Sequence, residues 1–105
     1  MIKADVIVLA TPVYFYSMSA QMKTLIDRTC PRYTEISDKK FYIIATAADG
    51  SEDALEDTIA GCRGFFRCLD NADEAGIIEG LGAWNIGDIK GLPAMQEAYV
   101  MGKNI

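Results

Sequence analysis

Val6-Ile-Val-Leu-Ala10 is an unbroken apolar run without polar alternation, the pattern of a strand covered on both faces and hence of a parallel sheet. Pro12 is expected to stop its ladder. Ser17 or Ser19 then caps a helix that carries Met22, Leu25 and Ile26 on one face and ends before Pro31. Phe41 to Thr46 repeats the first pattern and leads into a small-residue loop, Ala47 to Ser51. Asp49 and Glu52 have capping-box spacing, and Leu55, Ile59, Cys62, Phe66 and Leu69 recur at four and three, so one helix stripe is predicted up to Asp70 or Asn71.

A weaker strand is predicted over Ala75 to Gly80, followed by a long glycine-rich connection, Leu81 to Gly91. Pro93 suits the first turn of a last helix with Leu92, Met95, Ala98, Tyr99 and Met101 facing inward. The order is βαβαβα, and right-handed crossovers place three parallel strands side by side with helices on both faces. Ligands in such α/β sheets bind outside the carboxyl ends of the strands, which singles out the loops 11–18, 47–51 and 81–91.

The 105 residues allow one domain, residues 1–105. A net charge of −5 and the lack of a basic stripe argue against a nucleic-acid partner. With no histidine, His-dependent base catalysis and His-ligated metal sites are excluded. Cys30, Cys62 and Cys68 form no Cys-x-x-Cys spacing and read as reduced thiols, Cys62 and Cys68 as small buried hydrophobes. No run is long enough to span a bilayer and no signal segment opens the chain, so a cytoplasmic location is expected. Arg28, Arg32, Arg63 and Arg67 are scattered among a surplus of acids and read as solvated faces.

Tyr14, Phe15 and Tyr16 stand just past the first strand, where a chain usually turns. Three aromatics there either wall a pocket for a planar ring, such as a flavin, or plug the core or an interface. Trp84, alone in the glycine-rich loop, packs on its own domain or an interface more readily than on a ligand.

The stretch ADVIVLATPVYFYSMSAQMKTLIDR resembles the third strand, flavin-contacting loop and following helix of the NADPH-dependent FMN reductase family, near its iron-sulfur flavoprotein and multimeric flavodoxin branch. The likeness continues through KKFYIIATAADGSEDALEDTI and GDIKGLPAMQEAYVMGKNI. It implies a flavodoxin-like three-layer αβα fold with FMN as cofactor and NAD(P)H as electron donor. The acceptor it implies is a quinone, a free flavin or an iron-sulfur partner. Thr11, Pro12, Val13, Tyr14, Phe15, Tyr16 and Ser17 match the loop that holds the flavin ring, with Ala48, Asp49 and Gly50 approaching from the neighbouring strand. The flavin carries the chemistry, so no catalytic side chain and no metal are implied.

Family members open with a strand, a phosphate-binding loop, a helix and a second strand that have no counterpart in this sequence. The fold is therefore expected as a part of the family domain with about three strands and an FMN affinity lower by orders of magnitude. The same departure leaves one edge of the DVIVLA strand bare, which implies a homodimer or higher homo-oligomer formed through that edge or its sheet face. The alternative reading is a non-catalytic module that keeps the scaffold, binds FMN weakly or not at all, and self-associates.

Overall fold

Alternation of inward apolar residues along adjacent strands builds the molecule around one sheet, in a computed structural model that describes residues Met1–Ile105. The strands are β1 (Val6–Tyr14), β2 (Ser17–Met18), β3 (Lys39–Ala47) and β4 (Ala72–Leu81), and the helices are α1 (Ala20–Asp27), α2 (Glu56–Phe66) and α3 (Pro93–Lys103). Sheet order is β2-β1-β3-β4. β1, β3 and β4 are parallel, in registers such as Leu9 opposite Ile43 and Ile43 opposite Ile77. The expected three parallel strands are therefore present, and a fourth, β2, corrects the count: it runs antiparallel to the end of β1, pairing Val13 with Met18 and Tyr14 with Ser17.

Pro12 does not end β1, and the ladder explains why. Lys40 N–H donates to the Asp5 carbonyl at 3.1 Å. Backbone polarity alternates along a strand, so Ile7, Leu9 and Thr11 present their N–H and C=O groups to β3 while Val6, Val8 and Ala10 present theirs to the outer edge. The N–H that Pro12 lacks belongs to that outer edge, so no bond to β3 is lost.

Helix boundaries differ in detail. Ser19 is the N-cap of α1, its hydroxyl accepting from Met22 N–H at 3.2 Å, and the helix ends at Asp27, with Pro31 inside a separate 3₁₀ segment, Cys30–Glu35. The Asp49–Glu52 capping box does not form. Asp49 Oδ1 instead accepts from Ser51 N–H and hydroxyl at 2.9 and 2.7 Å, and a 3₁₀ turn, Glu52–Leu55, precedes α2. The stripe Leu55, Ile59, Cys62, Phe66 and Leu69 is buried as its spacing predicts. It packs with Ile7, Leu9, Phe41 and Ile43 from the sheet face that α1 and α2 cover.

α3 lies on the opposite face, against β4. Met101 fills the space above Gly76, where an added Cβ would stand 2.8 Å from its sulfur. The inward stripe of α3 is Ala94, Ala98 and Met101, not Met95 and Tyr99, which are exposed. A helix covers about two strands, so β1 remains bare on this side and Val8 is 47% exposed. The outer edge of β1 from Val6 to Ala10 pairs with no strand.

Candidate functional site

The carboxyl ends of the parallel strands carry three connections. After β1 the chain reverses in two residues, Phe15 and Tyr16, between the paired Tyr14 and Ser17. Both central residues have positive φ, 51° and 62°. A two-residue hairpin of this kind favours Asn and Gly, because a side chain in the left-handed region costs about 1–2 kcal/mol per residue. Two aromatics are therefore held where the backbone disfavours them. Nor does burial compensate in this chain: Phe15 is 101% exposed, and Tyr14 and Tyr16 are more than half exposed.

The turn is nevertheless fixed. Thr58, fully buried in α2, donates its hydroxyl to the Tyr16 carbonyl at 3.3 Å. Met18 packs so closely over Gly61 of α2 that a Cβ there would lie 2.9 Å from its methyl. Thr11 Oγ1 accepts from Ser19 N–H at 3.0 Å and donates to the Pro12 carbonyl at 2.8 Å, which ties the end of β1 to the cap of α1. Thr58, Met18 and Gly61 were not among the expected site residues. Thr58 was findable, since at three from Leu55 and four from Cys62 it is a polar residue on an apolar stripe.

Of the ten expected ligand-facing residues, Pro12, Tyr14, Phe15, Tyr16, Ser17, Ala48, Asp49 and Gly50 are exposed. Thr11 is buried and Val13 half-buried against the core, so both act as supports. Ala48–Gly50 follow β3, the direct neighbour of β1. The third connection is laced to them: Gly82 N–H donates to the Asp49 carbonyl and Ala83 N–H to the Ala47 carbonyl, both at 3.0 Å. The Ser51 backbone N–H, then its hydroxyl, hold the Asp49 carboxyl below its usual range, so this loop carries a fixed negative charge at neutral pH. Trp84 is largely exposed on the third loop rather than packed on its own domain. Arg32 and Arg63 pair with Glu35 and Glu74 at 2.6 and 2.8 Å, away from these loops.

For a flavin ring the residues fit. The exposed faces of Phe15 and Tyr16 offer a platform, and the N–H groups of both make no hydrogen bond within the chain. Gly50 and Gly82 have open space where a side chain would stand, which lets a flat ligand approach the backbone. For the phosphate the fit is poorer, because the nearby N-cap hydroxyl, Ser19, is buried and already engaged by Met22 N–H.

A mostly parallel sheet with helices on both faces and an aromatic turn at its carboxyl end defines a flavodoxin-like α/β protein. Two solved structures share this fold: the Trp repressor binding protein from Bacillus subtilis, with a TM-score of 0.83 at 23% identity over all of this chain and 72% of that one, and the WrbA-like flavodoxin from Agrobacterium tumefaciens, with a TM-score of 0.63 at 17% identity over 99% of this chain and 70% of that one. The chain belongs to the NADPH-dependent FMN reductase family, whose profile matches residues 1–73. A curated relative, FMN-dependent NADH:quinone oxidoreductase 2 from Pseudomonas aeruginosa, is 34% identical over 91% of this chain. The chain spans 46% of the length of that relative. No helix is long and apolar enough to cross a membrane.

Proposed function

We propose that this chain forms the flavin-ring platform of an FMN-dependent oxidoreductase that takes electrons from NAD(P)H and delivers them to a quinone, a flavin or an iron-sulfur partner. The observation that carries this reading is the pair of exposed aromatics in the left-handed region at the hairpin tip. Strain of that kind, uncompensated by burial, is maintained at binding sites. The flavin supplies the electron-transfer chemistry, and the protein holds and shields the ring. Phe15 and Tyr16 stack on its face, their free N–H groups reach its polar edge, and the Ala48–Gly50 backbone closes on it from β3.

The test is the visible spectrum of the protein after incubation with excess FMN and removal of free ligand, followed by anaerobic addition of NADPH or NADH. A retained flavin band that bleaches with one of them is the expected result. A folded but colourless protein would favour the alternative, a non-catalytic module.

The unpaired Val6–Ala10 edge and the exposed Val8 on the face beside α3 support self-association as part of either reading. Light scattering at micromolar concentration is expected to give a dimer or larger species. Val8→Lys, which sets a charge on both the edge and the face, should shift it to monomer. A monomeric parent protein would rule the association out.

A further inference from the structure

At the far side of the core from the hairpin tip, α1 and α2 leave a cavity of about 340 Å³ between their carboxyl ends. Ile26 comes from α1, Thr29, Cys30 and Tyr33 from the chain that follows it, and Phe65 and Cys68 from the end of α2. Its size lies within the range of small-molecule sites, and its wall is apolar and aromatic. Cysteine is among the residues most often buried, yet both thiols here are exposed, which corrects the expectation of a buried Cys68. The fold thus brings two cysteines far apart in sequence to one apolar cavity.

Neither is tied up covalently. The Cys30 thiol makes no hydrogen bond, and the Cys68 thiol donates only weakly, to the Gly64 carbonyl at 3.4 Å. Tyr33, 40% exposed, can receive an aromatic ring at the wall the two thiols share, with the rim of the buried Phe65 beneath it. The third cysteine, Cys62, is fully buried, and burial pushes its thiol up, so it is inert in the folded chain.

We propose that this cavity is a covalent capture site for one small aromatic electrophile of the conjugated-carbonyl class, which docks against Tyr33 and Phe65 and is taken by the thiol of Cys30 or Cys68. The thiol adds across the activated carbon–carbon double bond. The S–H bond and the π bond break, an S–C bond forms, and the proton ends on the carbon next to the carbonyl, so no oxidant or reductant enters. Both thiols line this one cavity, so an adduct docked on Tyr33 covers the approach to the second.

The experiment compares N-phenylmaleimide with N-ethylmaleimide, which share a reactive group and differ in the ring, on the full chain by intact-mass and peptide mass spectrometry, each rate referred to that of glutathione. N-phenylmaleimide is expected to add rapidly once per chain, divided between Cys30 and Cys68, with roughly a tenfold preference over N-ethylmaleimide, the scale of one aromatic contact. Cys30→Ser should send the single fast adduct to Cys68, and Cys68→Ser to Cys30. Tyr33→Ala should abolish the preference while both thiols still react, and an unmodified Cys62 shows that each variant is folded. Two fast adducts per chain, or the same preference in the parent and Tyr33→Ala chains, would overturn the proposal.

Discussion

Replacing Phe15-Tyr16 by Asn-Gly is expected to make the protein more stable and unable to retain FMN. Both residues sit at positive φ in a two-residue hairpin turn, and Asn-Gly is the pair that adopts this geometry with least strain. Relief at two positions, each about 1–2 kcal/mol, is partly offset by the flexibility glycine adds to the unfolded chain, leaving a net gain of roughly 1–2 kcal/mol. For a domain of this size that raises Tm by several degrees, about 4–8 °C per kcal/mol. Little packing is lost in return, because Phe15 touches solvent on every side and Tyr16 on most. Aromatic stacking on a planar heterocycle contributes about 1–3 kcal/mol per ring, so losing both faces should weaken FMN binding by about 30-fold or more. Thermal melts and the retained flavin band, read on the same samples, check both halves. If the variant melts lower, the turn is not strained; if it holds FMN as the parent does, the platform lies elsewhere.

The separation of those two effects marks what could be read from residues alone. The place of the candidate site was legible, because three consecutive aromatics after a buried strand are rare enough to need a reason, and the structure sets them exposed at the carboxyl end of β1. Their strain was not, since no Asn-Gly or Gly marks the reversal, and the contacts of Thr58 and Met18 that fix the hairpin on α2 join residues far apart in sequence. Pro12 misled for a related reason: its effect depends on which edge its missing N–H faces, and that is a property of the sheet. β4 was read short because Asp73 and Glu74 look like loop, although they lie on the exposed beginning of a strand, where Glu74 pairs with Arg63. In α3, Ala94, Ala98, Met101 and the exposed Met95, Tyr99 and Val100 surround most of the helix, so periodicity alone did not choose the face. The core of α2, with one stripe and no competitor, was read correctly.

The largest loss of stability is expected from Phe41→Ala. Phe41 is 0% exposed near the start of β3, its ring stacked on Phe66 with centroids 4.2 Å apart and set edge-on to Phe65 at 6.2 Å. Removing a buried phenyl ring forfeits its transfer free energy and leaves a cavity that rigid neighbours fill only in part, a loss of about 3–5 kcal/mol. β3 is bonded on both sides and cannot move inward, and α2 is held at its other end through Thr58 and Gly61, so collapse is restricted and the upper part of that range applies. Domains have roughly 5–15 kcal/mol in total. A single chain belongs at the lower end, because its own helices leave the β1 face beside α3 uncovered and that face contributes less burial. Phe41→Ala should therefore sharply lower the urea midpoint and leave a substantial unfolded fraction at 37 °C, while Phe41→Leu, which keeps most of the volume, costs about 1.5 kcal/mol or less. Flavin retention then separates two kinds of failure. Phe41→Ala releases FMN only as it unfolds, in step with circular dichroism, because the ring at the hairpin tip never touches Phe41. The Asn-Gly variant releases FMN while fully folded. If Phe41→Ala loses FMN at a temperature where its circular dichroism is still that of the parent, the platform depends on the core packing of β3 as well as on the aromatic turn.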